Sequence, residues 1–304
     1  LVAWCYQQQR SLQEFFAAES QIWAEVCNLK PDALQKLEQA REKLVAQAFL
    51  VEQLTHASIS LLTIFDDAYP KQLKSALRRN ATPPILFYAG DLSILQRQTI
   101  ALIGSRNASE RSLAFTRDAA SYLAEHGANV ISGNARGVDQ AAYDGAISGD
   151  GYTTVVLPHG IRKLSGVKMR GLLPKIDSGK VLLMSQFHPD APWVVSRAME
   201  RNKVVTGLAQ VVIVAESDTK GGTWDGANGA LAQKRPVYVC QMDAPALPGN
   251  SALVARGSQV LPWPVGNVDE AFAPLLHASR EIQQKQAQIA LPPSQLSLLA
   301  ISYH

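Results

Sequence analysis

The stretch Thr99-Ile100-Ala101-Leu102-Ile103-Gly104-Ser105-Arg106-Asn107-Ala108-Ser109 decides the reading of this chain. Its first five residues carry no charge and are rich in branched side chains, the composition of a strand buried on both faces. Gly104 then permits a tight turn, and Ser109 stands where a helix N-cap belongs, ahead of the amphipathic run Arg111–His126 and its closing Gly127. Strand, glycine loop and helix form the unit from which parallel sheets are assembled.

Working outward, the unit recurs. Short Val- and Ile-rich runs at Ile85–Tyr88, Asn129–Ser132, Tyr152–Leu157, Val181–Ser185, Gln210–Ala215, Pro236–Cys240 and Gln259–Leu261 alternate with helical segments. The expected fold is α/β, an open, mostly parallel sheet with helices on both faces. Residues 1–80 read instead as a helical N-terminal domain. Leu34, Leu37, Leu44 and Ala48 recur at helical spacing after Pro31, which suits a first helical turn. Nine acids balance nine bases there, and Ala81-Thr82-Pro83-Pro84 marks the boundary. The sheet domain is expected over 81–275 and a Gln-rich tail over 276–304.

The chain has 304 residues, 47% hydrophobic and 18% charged, with a net charge of +3, which suits a soluble two-domain protein. Cys5, Cys27 and Cys240 are too scattered for a disulfide framework or thiolate site, and the six histidines lack ligand spacing. No metal or cofactor is expected, no apolar run is long enough for a bilayer, and a reducing, cytoplasmic setting follows.

In an open α/β sheet, ligands bind where strand C-terminal ends meet helix N-termini. Three loops have a phosphate-binding composition. In the first, Gly104 allows the turn, Ser105 and Ser109 offer hydroxyls, and Arg106 supplies a bidentate donor, although Ser109 is equally suited to a plain N-cap. The second runs Ser132-Gly133-Asn134-Ala135-Arg136-Gly137-Val138-Asp139, with Arg136 as a further donor and Asp139 suited to a helix start. The third is Lys220-Gly221-Gly222-Thr223, a weaker signal by itself. Charge is local rather than global: residues 160–205, which include Lys163, Arg201, Asn202 and Lys203, hold nine bases against three acids. Such a row fits a nucleic-acid backbone, and also a solvated face. Trp193 and Trp224 lie beside these loops and suit either base stacking or core packing. No Ser-His-Asp pattern, carboxylate pair or metal cluster points to an enzyme.

Taken in order, Gly104-Ser105-Arg106 with Ser109, Ser132-Gly133 to Asp139, Thr154 to Ile161, Arg201 to Leu208 and Gly221 to Thr223 resemble the DprA/Smf family across residues 60–262. Tyr69-Pro70 and Pro84 to Tyr88 with Gly90 are similar to that family's entry to its Rossmann-like domain, and the helical N-terminus to its small SAM-like domain. The resemblance implies sequence-independent single-stranded DNA binding and protection, homodimerisation, and loading of a RecA-type recombinase in DNA uptake and recombination. It would place Ser105, Arg106, Ser132, Gly133 and Arg201-Asn202-Lys203 along the DNA groove. The chain departs from the family pattern at Tyr143 (usually His), at Lys203 (usually Arg), at Arg162–Gly171, which lacks a Tyr-Pro-x-x-Asn segment, and at Glu216-Ser217 before its Lys-Gly-Gly-Thr. The tail lacks the winged helix of some relatives. Gln295-Leu296-Ser297-Leu298-Leu299 is similar to peptides that dock on the bacterial sliding clamp, and equally suits an end helix packed on the domain. The alternative reading is a nucleotide-binding enzyme or sensor resembling the lysine-decarboxylase-like phosphoribohydrolases, which share glycine loops.

Overall fold

In a computed structural model of the chain, Thr99–Ile103 is a fully buried interior strand of a nine-stranded sheet. The structure describes residues 12–27, 30–78, 81–133, 135–242 and 247–289. It divides into two compact units, one up to Ile59 and one from Ser60 onward.

Among the described residues the first unit holds four helices, α1 (Leu12–Ala17), α2 (Ser20–Cys27), α3 (Pro31–Glu42) and α4 (Leu44–His56). Its small core stacks Phe15 on Trp23 at 5.4 Å, and the Trp23 indole donates to the Phe15 carbonyl at 2.8 Å. Arg41 lies over the other part of that platform, 4.8 Å from the Trp23 ring. The helical spacing from Leu34 to Ala48 is shared by two helices that meet at Lys43.

In the second unit the chain runs β1 (Ser60–Thr63), α5 (Lys71–Ala76), β2 (Ile85–Ala89), β3 (Thr99–Ile103), α6 (Glu110–Glu125), β4 (Asn129–Ser132), α7 (Val138–Ser148), β5 (Tyr152–Val156), α8 (Gly166–Asp177), β6 (Val181–Ser185), α9 (Val195–Leu208), β7 (Val211–Val214), α10 (Gly222–Ala232), β8 (Val237–Gln241), α11 (Pro248–Ala255), β9 (Gln259–Pro262) and α12 (Val268–Ile289). The sheet order is β1-β2-β6-β5-β4-β3-β7-β8-β9. From β6 to β9 neighbouring strands are parallel, and β2 and β1 add an antiparallel edge.

Alternate side chains of β3 feed two cores, as the period of two requires. Ala101 and Ile103 pack with Val205 and Leu208 of α9 and Ala227 of α10. Ile100 and Leu102 pack with Phe115 and Leu123 of α6, Ala142 of α7 and Phe272 of α12. Each large side chain buried this way contributes about 1.5–3 kcal/mol. Both faces of the sheet are covered, in agreement with the fold expected from the strand composition.

Two expectations about the chain's ends need correction. Residues 60–78 belong with the sheet and not with a helical domain: β1 pairs with β2 in the register Ser60↔Tyr88 to Thr63↔Ile85, and Leu62, Tyr69, Leu73 and Leu77 join the core. A four-residue edge strand has no period long enough to read, and its ladder comes entirely from β2. The segment 276–289, expected to be tail, continues α12. Leu276 is buried there, its carbonyl accepts from the Gln98 side chain at 2.7 Å, and the Ser279 hydroxyl donates to Gln210 Oε1 at 2.6 Å. Among the described residues no helix is long and apolar enough to cross a membrane.

Candidate nucleic-acid interface

After β3 the chain steps outward through β4, β5 and β6, then returns across β3 to begin β7 on its other side. The loops that follow β3 and β7 therefore part at one switch point, where open sheets hold their ligands. A groove of about 390 Å³ lies there. Of the residues expected to form a site, Gly104, Ser105, Arg106, Arg201, Asn202, Gly221, Gly222 and Thr223 line it.

The walls are backbone brought close by glycine. Gly137 has φ +78°, and a Cβ there would lie 2.4 Å from the Ser105 carbonyl oxygen, so only glycine lets the second loop pass beneath the first. The Val138 N–H donates to that same carbonyl at 3.2 Å. On the opposite wall Gly221, at φ +92°, starts α10, and the Asn202 amide donates to the Gly222 carbonyl at 3.1 Å, which ties the third loop to α9. Gly137 and Gly221 are the N-caps of α7 and α10 and offer no side-chain acceptor, so the first turn of α10 keeps its backbone N–H groups for an anion, while in α7 the Val138 N–H is already taken by Ser105.

The floor is an ion pair. Arg201, 3% exposed, reaches from α9 under the second loop, where its guanidinium stands 3.4 Å from Asp139 and donates to the Val156 carbonyl at 3.2 Å. Asp139 also accepts from the Ala135 N–H at 3.2 Å. The fit is close enough that a Cβ on Gly133 would fall 1.3 Å from the guanidinium. Burial pulls the Arg201 pKa down, Asp139 opposes this by favouring the charged form, and the nearby Arg106 adds to the lowering. Arg201 is part of the groove lining, and its Nε is buried without a hydrogen-bond partner.

Arg106 stands at the mouth, exposed, with its guanidinium 5.8 Å from the Trp193 ring. Trp193 is 48% exposed, and Val195 and Met199 of α9 continue the apolar wall into the groove. A charge for phosphate and a bare aromatic face for a base thus stand side by side.

Other expected residues are placed differently. Ser109 caps α6 by accepting from the Ser112 N–H, and both its N–H and its hydroxyl donate to Glu216 at 2.9 Å, so it clasps the β3 and β7 loops together. Ser132 is fully buried at the end of β4. Gly133 and Gly137 shape the walls from behind, while Arg136, Lys163 and Lys203 are exposed outside the groove lining. Trp224 packs on the core with Arg256 over its ring at 4.8 Å. Sequence reading missed Glu216 as a clasp and Asp139 as the partner of Arg201. An acid ending a buried strand, and one following a Gly-rich loop opposite a lone Arg, are the signals that could have pointed to them. Gln295 to Leu299 lie outside the described residues.

Comparison with known proteins agrees with this architecture. The family model described as DNA recombination-mediator protein A matches residues 60–270. Protein Smf of Escherichia coli is 29% identical over 209 residues, covering 69% of this chain and 52% of that protein. The DNA processing protein DprA of Streptococcus pneumoniae is 28% identical over 188 residues, or 62% of each chain. The matches thus span between half and two thirds of those relatives' lengths. A solved structure of the Streptococcus pneumoniae protein superposes with a TM-score of 0.69 at 23% identity, over 85% of this chain and 87% of that one. The DNA processing protein A of Helicobacter pylori, whose structure concerns its single-stranded DNA binding mode, gives a TM-score of 0.61 at 25% identity, over 72% of this chain and 96% of that one. The glycine loops, the open parallel sheet and the matched span together make this chain a member of the DNA recombination-mediator protein A family, the DprA/Smf proteins.

Proposed function

We propose that this chain binds single-stranded DNA without sequence preference, through the groove at the β3–β7 switch point. The observation that carries the reading is Arg106 beside the exposed Trp193 at the mouth of that groove. Sequence-independent strand binding needs a cation for phosphate and a π-face that accepts any base, and this pair supplies both. Asn202, the side chain in the groove best suited to reading a base edge, is held by the Gly222 carbonyl, which favours binding through backbone and stacking.

By family inheritance the strand so held is protected and passed to a RecA-type recombinase during DNA uptake or recombination, with a homodimer as the working unit. The Gln295 to Leu299 peptide is a candidate contact for a sliding clamp. Loss of clamp pull-down on deleting residues 294–304 supports that contact, and unchanged capture removes it. The site is read as a binding site and not a catalytic one.

Titration of labelled oligo-dT in a salt series, with AMP in parallel, tests the central reading. The expected result is tight oligonucleotide binding whose log affinity falls linearly with log salt. Binding of AMP with no affinity for oligo-dT would replace it with the nucleotide-enzyme reading. Stimulated assembly of a recombinase filament on strands coated by this protein is the expected result for the loading role.

A further inference from the structure

We infer that helix α8 is a second contact strip for the phosphate backbone, which receives the strand as it leaves the groove. This inference rests on the reading of the groove as a single-strand site.

Helix α8 meets the rest of the protein along a narrow stripe. Ile176 is buried, Met169 and Leu172 are half-buried, and Val167 on the outward side is 73% exposed. Lys168 and Lys175 stand seven residues apart, two helical turns or about 10 Å along one flank. Arg170 is exposed on the other flank, and Asp177 is the helix's one acid. Among the described residues no carboxylate comes within ion-pair distance of Lys163, Lys168, Arg170 or Lys175. A merely solvated helix face interleaves both signs. The Lys168–Lys175 flank presents a single sign.

The strip is continuous with the groove. The Gly160 N–H donates to the Ala191 carbonyl at 2.9 Å, and the Arg162 N–H to the Pro189 carbonyl at 3.1 Å. A Cβ on Gly160 would fall 2.1 Å from the Pro189 oxygen, so the two segments touch along their backbones. The Arg162 side chain pairs with Asp190 at 3.3 Å. The approach to α8 is therefore stitched to the segment that carries Trp193, whose ring faces Arg106. A strand that leaves Arg106 over Trp193 meets Lys163 and then the Lys168–Lys175 flank. A polyanion of regular spacing fits a row of unpaired cations, and the backbone of the same strand is already delivered there.

The test compares the full chain with Lys168→Glu/Lys175→Glu, and with Lys168→Gln/Lys175→Gln as the milder pair, on oligo-dT of about 6 and about 20 nucleotides, one within and one beyond the usual single-strand site sizes of about 4–16 nucleotides. Thermal melting checks folding, which these solvent-facing positions should leave unchanged. The charge-reversed protein is expected to lose about 20-fold or more in affinity for the long strand near 0.1 M salt, with a salt slope shallower by about 1.4, because each single-strand phosphate contact contributes about 0.7. Affinity for the short strand should stay within about twofold, since the groove is intact. Equal losses on both lengths, or no loss on the long strand, overturn the strip while leaving the groove in place. Failure of the unaltered chain to bind either oligonucleotide overturns the groove reading, and the strip with it.

Discussion

Arg201 and Asp139 meet at 3.4 Å under the glycine loop that follows β4, both buried, although 62 residues separate them in the chain. The pair holds α9, the second loop and the β5 end in one arrangement. Removing one partner of a buried pair leaves an uncompensated charge, at a cost of about 3–5 kcal/mol. Arg201→Ala and Asp139→Ala should each destabilise the protein by that order in urea unfolding, and the double variant should lose less than their sum. Additive losses would deny the coupling.

Gly137 answers to backbone geometry alone. Its φ of +78° and the 2.4 Å approach of a would-be Cβ to the Ser105 oxygen leave no room for alanine. Gly137→Ala should cost about 1–2 kcal/mol for the left-handed conformation, plus the displacement of the first loop. Oligonucleotide affinity should fall together with the melting temperature, because Arg106 rides on the displaced loop. An alanine variant with unchanged melting and binding would contradict this geometry.

Arg106 and Trp193 are both exposed, so truncating either should leave stability unchanged and affect binding alone. Arg106→Ala should weaken oligo-dT binding several-fold and make the salt slope shallower by about 0.7, the loss of one phosphate contact. Trp193→Ala should cost about 1–3 kcal/mol of binding with the salt slope intact, as expected for lost stacking, and Trp193→Phe should restore much of it. The split between slope and affinity separates the two roles in one titration series.

Cys240 is buried at the end of β8, and burial pushes its thiol pKa up from 9.0 to about 12. The folded state thus favours the protonated thiol. Its stabilising effect is complete below the unfolded value of 9.0 and is lost as pH rises towards about 12. Native protein at pH 8 should resist alkylation at Cys240 and react rapidly once unfolded, as peptide mapping by mass spectrometry would read. Rapid native labelling would show that the β8 end opens.

The sequence by itself determined the sheet and the loops from which the candidate site is built. Thr99–Ile103 and its sister strands carry their own burial signal, because a strand covered on both faces is predominantly apolar. Gly104 to Ser109 likewise marks a strand–loop–helix turn wherever it occurs. Tertiary structure alone decided which of those loop residues face the groove. Arg106, Arg136 and Arg201 look alike in the sequence, yet one stands at the mouth, one lies outside the groove lining and one is locked beneath it. That difference comes from partners far along the chain, Trp193 for Arg106 and Asp139 for Arg201. The same cause hid β1, whose ladder belongs to β2, and the end of α12, held by Gln98 and Gln210. Local periodicity reports what a segment can form, whereas the role of a charged side chain depends on the distant group that desolvates or pairs it.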